Sequence, residues 1–256
     1  MSIIEKWLAY VSAHRAKLTY RSYRRAILQF AQIMPDIENV TINEIEQYII
    51  TIANKYSNST ANIHLSIIRC FYKWCSERYN VRDVARAVHL LPTSPPKQRV
   101  LSPEEYEKIL AVCQTREEHD IVTILGNTGL RAREFLDLPK HSTTNDGEFL
   151  DVIGKRQKRR LIPLNSKAKI ALARYKPRYT TRQGLHYVFE CLAHRANIEP
   201  FGAHSFRHYF ATELFMRGIN PVFIGKILGH SSINTTLSVY VHFGTEGLAG
   251  LCDCLE

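Results

Sequence analysis

Between Leu91 and Val100 the chain reads Leu-Pro-Thr-Ser-Pro-Pro-Lys-Gln-Arg-Val, a stretch that no helix or central strand can cross. Proline lacks the N–H that both need, and it pushes the residue before it into extended conformations. A chain of 256 residues interrupted there has to bury its apolar groups on each side separately. Three parts are therefore expected. These are a first domain over 1–92, a stiff basic linker over 93–100 carrying Lys97 and Arg99, and a second domain over 101–256.

Before the linker, apolar residues recur at helical spacing. Ile3, Ile4, Trp7, Leu8 and Val11 mark a helix over 2–15. A second helix begins at Thr19-Tyr20, with Tyr23, Ile27, Leu28, Phe30 and Ile33 on one face, and Pro35-Asp36 ends it. Thr41-Ile-Asn-Glu44 is a capping box that opens a third. Ser57-Asn-Ser-Thr60 breaks the chain again, and a fourth helix runs to about Tyr79. Nothing here alternates with a period of two, so the first domain reads as an all-helical bundle.

The second domain is mixed. Ser102-Pro-Glu-Glu105 is a strong helix start, and Asp120–Leu125 continues as helix. Gly129 is read as a break, with a new helix starting at Leu130 or Arg131. Phe149–Leu164 is a β-hairpin whose tip holds five Lys or Arg in the six residues 155–160. Helices follow over Ser166–Tyr175, after Arg182-Gln-Gly-Leu185, around His204–Phe215 and over Val222–Leu228. The last ends at Gly229. The spacing of Ile219–Gly229 resembles a helix-turn-helix. The fold class is thus mainly α with a small β-sheet or hairpin: an N-terminal helical bundle plus a mixed α+β domain.

The formal charge is +10, which points first to nucleic acid as partner and second to an anionic membrane surface. The excess is uneven. Residues 1–99 hold 14 Lys and Arg against 7 Asp and Glu, and residues 100–256 hold 20 against 17. Lys17, Arg21, Arg24 and Arg25 cluster on the second helix, and Arg69 and Lys73 lie a turn apart on the fourth. With Arg156, Lys158 and Arg159 of the hairpin tip, they form the expected DNA-contacting set. No apolar run has spanning length and the start of the chain is amphipathic, so a cytoplasmic protein with no membrane partner is expected. Six Cys lack zinc-type spacing and read as reduced thiols.

His204, Arg207, His230 and Tyr240 fall within 37 positions, in a region otherwise patterned as buried helix. Burying such groups unpaired is unfavourable, so their concentration asks for a ligand. A phosphodiester suits them. Arg131 and Arg207 can clamp its non-bridging oxygens bidentately, and neither loses its proton near neutral pH. His204 and His230 can hydrogen-bond the same phosphate or move protons. Tyr240 can attack phosphorus if a base or positive field offsets its pKa of ~10. Lys155, on the hairpin, can protonate the departing 5′ oxygen. No acidic cluster of metal-binding type accompanies these groups, so metal-free chemistry is expected.

The pieces that carry this chemistry are Thr128-Gly-Leu-Arg131-Ala-Arg-Glu134, Val152-Ile-Gly-Lys155-Arg-Gln-Lys158-Arg-Arg160-Leu-Ile-Pro163-Leu, His204-Ser-Phe-Arg207-His208, Leu228-Gly-His230-Ser-Ser, and the Thr235-Thr236 before Tyr240. In this order they resemble the tyrosine recombinases, the class of phage integrases and Xer-type resolvases. The resemblance spans most of residues 101–242, and the first domain matches a core-binding domain in size, helical character and position. It implies that Arg131, His204, Arg207 and His230 hold the scissile phosphate of a specific duplex site, with Lys155 as general acid. Tyr240 would form a 3′-phosphotyrosyl link and free a 5′-hydroxyl for strand exchange inside a tetramer. No cofactor is implied, because the phosphotyrosyl bond conserves the energy of the cleaved one. Glu134 is expected to be structural.

One spacing departs from the family pattern. Tyr240 lies ten positions after His230 rather than nine, and one extra helical residue turns a side chain by ~100°. Two other readings share many of these residues. One is a nicking-closing enzyme of the type IB topoisomerase kind, the other a DNA-binding regulator that has lost catalysis.

Overall fold

The computed structural model describes residues 1–94, 99–144, 146–154 and 158–229. The chain divides into two compact units, Met1–Pro96 and Lys97–Glu256.

The first unit is built from four helices, α1 (Ile3–His14), α2 (Lys17–Ile33), α3 (Ile42–Lys55) and α4 (Asn58–Tyr79), followed by a 3-10 turn at Val84–Ala87. Local chemistry sets the starts. Ser2 and Thr41 accept hydrogen bonds from the backbone N–H of Glu5 and Glu44, whose carboxylates reach back to the cap residues. Two boundaries differ from expectation. The second helix starts two residues early, at Lys17, and the break before the fourth shrinks to Tyr56–Ser57, since Ser57 caps Thr60 from one position outside the helix.

Trp7, Phe30, Tyr48, Phe71 and Tyr72 fill the centre of this unit and are almost fully buried. Trp7 meets Phe71 edge-on at 5.3 Å between ring centres. The buried polar ends are satisfied. The Tyr72 hydroxyl donates to the Ile37 carbonyl at 2.9 Å, and the Tyr48 hydroxyl is 2.9 Å from Nδ1 of His64. The segment after α4 is stitched to it by Asn62, which exchanges two hydrogen bonds with the Leu91 backbone.

The second unit opens with α5 (Pro103–Ala111) and α6 (Arg116–Thr128). Helix α6 is buried on all sides from Asp120 to Leu125, so it runs through the core rather than over it. Gly129 ends it at φ +60°, and the five-residue α7 (Ala132–Leu136) follows. Three antiparallel strands come next: β1 (Ser142–Thr143), β2 (Phe149–Ile153) and β3 (Arg159–Pro163). β1 was not expected, because two exposed residues, Ser and Thr, leave no alternation to read. Helices α8 (Ser166–Arg174), α9 (Arg182–Ala196), α10 (Ala203–Met216) and α11 (Pro221–Leu228) follow among the described residues. α9 takes in Arg182-Gln-Gly-Leu185, because Thr181 caps it from outside. Among the described residues no helix is long and apolar enough to cross a membrane.

Gly129 is the tightest joint in this unit. A Cβ there would lie 2.6 Å from Phe210 Cδ1 and 2.8 Å from Leu228 Cδ2, in a left-handed backbone conformation. Gly129→Ala is expected to destabilise the second unit by about 2–4 kcal/mol through backbone strain and overpacking together, read from its chemical denaturation midpoint.

Candidate active site

Two segments, the turn before α7 and helix α10, supply the expected phosphate-holding groups among the described residues of the second unit, and hydrogen bonds tie them to the end of α11. Arg131 precedes α7, where the αL turn at Gly129 directs the chain. Its backbone N–H donates to Glu134 Oε2 at 2.8 Å and its Nη1 to Oε1 at 2.9 Å. Arg207 lies on α10 three residues after His204, with only 4% of its surface exposed. Its Nη1 donates to the Gly129 carbonyl at 2.9 Å and its Nη2 to the Leu228 carbonyl at 2.5 Å. Arg160 on β3 donates from Nε to the Ile227 carbonyl at 2.8 Å.

The end of α11 is therefore held in an unusual way. Its last carbonyls have no intrahelical partner, and a glycine cap satisfies only some of them. Here Ile227, Leu228 and Gly229 each accept from a different arginine: Arg160, Arg207 and Arg131. A cationic group suits this end of a helix dipole. The consequence is geometric. Two guanidiniums needed for an anion are oriented by the residues that lead directly into His230.

Charge does not balance in this cluster. Among the described residues three guanidiniums, Arg131, Arg160 and Arg207, lie around a single buried carboxylate, Glu134. Burial pushes the Glu134 carboxyl up, but hydrogen bonds and charge from Arg160, then from Arg131, outweigh it and hold the group at about 2. Arg207 bears the remaining imbalance. Burial, then the charges of Arg131 and Arg160, pull its pKa down to about 9, which still leaves it charged at neutral pH. His204 is exposed at the site, and its pKa is lowered by burial of the ring and then by Arg207, Arg131 and Arg182. A bound anion would offset the mutual repulsion of cations that lowers Arg207 and His204.

Of the six expected catalytic residues, Arg131, His204 and Arg207 lie together here, while Lys155, His230 and Tyr240 are outside the described residues. Arg156 is outside them too. Glu134 has the structural part expected of it, accepting from four donors of Arg131 and Arg160.

Among the expected DNA contacts, Lys17, Arg21, Arg24, Arg25, Lys73 and Lys158 have exposed side chains. Arg159 is exposed but paired with Asp151 across the hairpin. Arg69 is a correction. Its guanidinium donates to the Ala85 and Val88 carbonyls, holding the 3-10 turn against α4, so its charge serves the bundle's own packing. Arg69→Ala is expected to destabilise the first unit by about 1–3 kcal/mol, seen in thermal unfolding, because two part-buried carbonyls lose a charged donor.

Arg160 was missed as an individual. It sat inside a basic run read as a hairpin tip facing a groove. The signal was available in strand parity. β2 buries Leu150 and Val152, and their partners across the ladder are Ile162 and Arg160. Arg160 therefore occupies an inward position, unlike Arg159 beside it.

The Phage integrase family model matches residues 99–246, and the model of the phage integrase N-terminal SAM-like domain matches residues 4–78. Tyrosine recombinase XerD of Caulobacter vibrioides is 28% identical over 247 residues, covering 84% of this chain and 81% of that protein. XerD of Listeria monocytogenes serotype 4b is 26% identical over 278 residues, covering 94% and 93%. Among solved structures, the Tn1549 transposon integrase in complex with transposon right end DNA is similar with a TM-score of 0.78 at 20% identity, over 100% of this chain and 99% of that one. The XerH site-specific recombinase in its post-cleavage complex has a TM-score of 0.72 at 19% identity, over 92% and 80%. At these identities the two structures speak to the shared fold.

Proposed function

This chain belongs to the phage integrase family of tyrosine recombinases, enzymes that cleave and rejoin DNA in site-specific recombination, and from that premise we propose how its residues divide the reaction. Arg131 and Arg207 bind the non-bridging oxygens of one scissile phosphate, and His204 hydrogen-bonds it from the same side. His230 follows Gly229, whose carbonyl is already held by Arg131, and completes the shell. Negative charge that builds on these oxygens in the transition state meets two guanidiniums already fixed by hydrogen bonds. Tyr240 attacks phosphorus and becomes linked to the 3′ phosphate. Lys155 gives its proton to the 5′ oxygen as the P–O bond breaks. The freed 5′-hydroxyl of one duplex then attacks the phosphotyrosyl bond of the other, within a tetramer on paired sites.

The observation that carries this reading is the surplus of guanidinium charge over carboxylate around Arg207, with His204 beside it. A site with excess positive charge, open at Arg131 and His204 and backed by the buried Arg207, is arranged for an anion that arrives later.

The test begins with duplexes selected by the protein from a random pool. A nicked version of the selected site traps the covalent intermediate, because the short strand beyond the nick diffuses away. The wild type is expected to give an adduct on a denaturing gel and Tyr240→Phe none. Absence of adduct from a wild type that binds the duplex overturns the reading. Exchange of flanks between two sites, beyond relaxation of supercoils, distinguishes recombination from nicking and closing.

The first unit supports the proposal through its surface. Lys17, Arg21, Arg24, Arg25 and Lys73 are exposed, and none is ion-paired among the described residues. Removing any one that touches a phosphate is expected to lower the slope of log affinity against log salt by about 0.9, measured by fluorescence anisotropy over a salt series.

A further inference from the structure

Arg160 touches three separate parts of the site. Its Nη1 and Nη2 each lie 2.8 Å from an oxygen of Glu134, in the two-pronged geometry that guanidinium and carboxylate share. Through that carboxylate it reaches Arg131, which shares the same two oxygens. Its Nε holds the Ile227 carbonyl at the end of α11, and its side chain fills the space beside Gly229. A Cβ on Gly229 would lie 2.9 Å from Arg160 Cδ. Gly154, the residue before Lys155, packs over the pair, with its Cβ position 3.7 Å from Arg160 Nη1 and 3.8 Å from Glu134 Oε1. The Gly154 N–H donates to the Lys158 carbonyl at 2.8 Å, closing the base of the hairpin tip.

We propose that Arg160 is a positioning residue for strand cleavage. One guanidinium sets the mutual placement of Arg131 and of the segments up to Gly154 and Gly229, the residues that precede Lys155 and His230 in the chain, without itself touching the DNA. The inference rests on the division of roles given above.

The physical case is one of valence and burial. Glu134 accepts four donors and has no lone pair left for a fifth. Both side chains of the Arg160–Glu134 pair are under a tenth exposed, so neither rearranges without leaving the other unpaired. All three guanidine nitrogens of Arg160 donate to protein acceptors and its side chain is only 9% exposed, which suits a residue that acts through its neighbours. Arg131 has one donor on Glu134 and one on Gly229, so an error at Arg160 displaces both anchors of a phosphate-binding group together. Glycine at 229 is what lets the end of α11 approach Arg160 so closely.

The test compares Arg160→Met, Arg160→Lys and Glu134→Gln with the wild type on the nicked duplex, measuring binding and single-turnover cleavage separately. Arg160→Met is expected to bind DNA with unchanged affinity and to cleave about 100-fold more slowly, the effect of a misplacement near 1 Å. Arg160→Lys keeps the charge and loses the fork, so it recovers part of the rate, to roughly tenfold below wild type. Arg160→Met combined with Glu134→Gln is expected to be no slower than the worse single variant, because both act through Arg131.

Cleavage by Arg160→Met within roughly threefold of wild type overturns the proposal, as does an equal loss in affinity and rate. Additive losses in the double variant also overturn it. If Arg160→Met does not fold, Arg160→Lys decides alone: wild-type cleavage by a folded protein overturns the proposal, and slower cleavage at unchanged affinity supports it. A wild type that forms no adduct removes the functional reading and this inference with it. An adduct from the wild type with unaffected Arg160 variants removes only the inference.

Discussion

Arg207→Ala is expected to slow single-turnover cleavage by a factor of about 1,000 or more, while DNA binding in a gel shift stays close to wild type. The reasoning starts from where the guanidinium is held. It is buried, and the carbonyls of Gly129 and Leu228 fix its plane before any DNA arrives. A group already oriented needs no rearrangement as charge develops on the phosphate. Affinity is spread over many contacts of the basic surface, so losing one buried donor changes it little. Arg207→Lys is expected to rescue little, because one ammonium cannot span two carbonyls and an anion in the plane of a fork.

The stability of Arg207→Ala should move much less than its burial suggests. Removing the side chain leaves a cavity and two carbonyls without their donor. It also removes a charge that the site holds at a disadvantage, as the fall of its pKa to about 9 indicates. These effects oppose each other. A large loss of activity with a small shift in melting temperature is the expected pair of results, and a large loss of both would show that the arginine is chiefly structural.

Glu134→Ala should have the opposite profile and the largest effect on stability, a loss of about 3–5 kcal/mol. It leaves Arg160 without its partner in the interior and frees Arg131 from its anchor. The carboxylate also sets an acid limit. Its folded pKa of about 2 lies below its ordinary value of 4.5. A depressed carboxyl contributes stability that is complete above the ordinary value and is lost as pH falls through the folded one. The second unit should therefore lose roughly 3 kcal/mol between pH 4.5 and pH 2 from this group. Glu134→Gln should flatten that part of the curve in urea denaturation at several pH values. An unchanged acid limb would show that other carboxylates govern it.

Much of the architecture was legible because it is local. Capping pairs such as Ser2 with Glu5 and Thr41 with Glu44 act across three residues, so their chemistry is complete in the sequence. The stop at Gly129 could be read the same way. Boundaries slipped where the cap lies outside the apolar pattern, as at Ser57 and Thr181. β1 escaped because two residues pair only through a partner strand supplied by the fold.

The site divides along the same line. From the chain by itself we propose which groups do the chemistry: Arg131, His204 and Arg207 as phosphate ligands, with Lys155, His230 and Tyr240 completing the set. Residue type and order are enough for that proposal, since the sign of the charge and the donor geometry belong to the side chains themselves. Which cations are free to meet an anion was decided only by the tertiary structure. Arg69 stands a turn from Lys73 and Arg160 in a basic run, yet one holds carbonyls of the bundle and the other a buried carboxylate. A guanidinium's task depends on which acceptors lie within about 3 Å of it. Those acceptors come from positions 16 to 67 residues away, brought near by packing that no local pattern encodes.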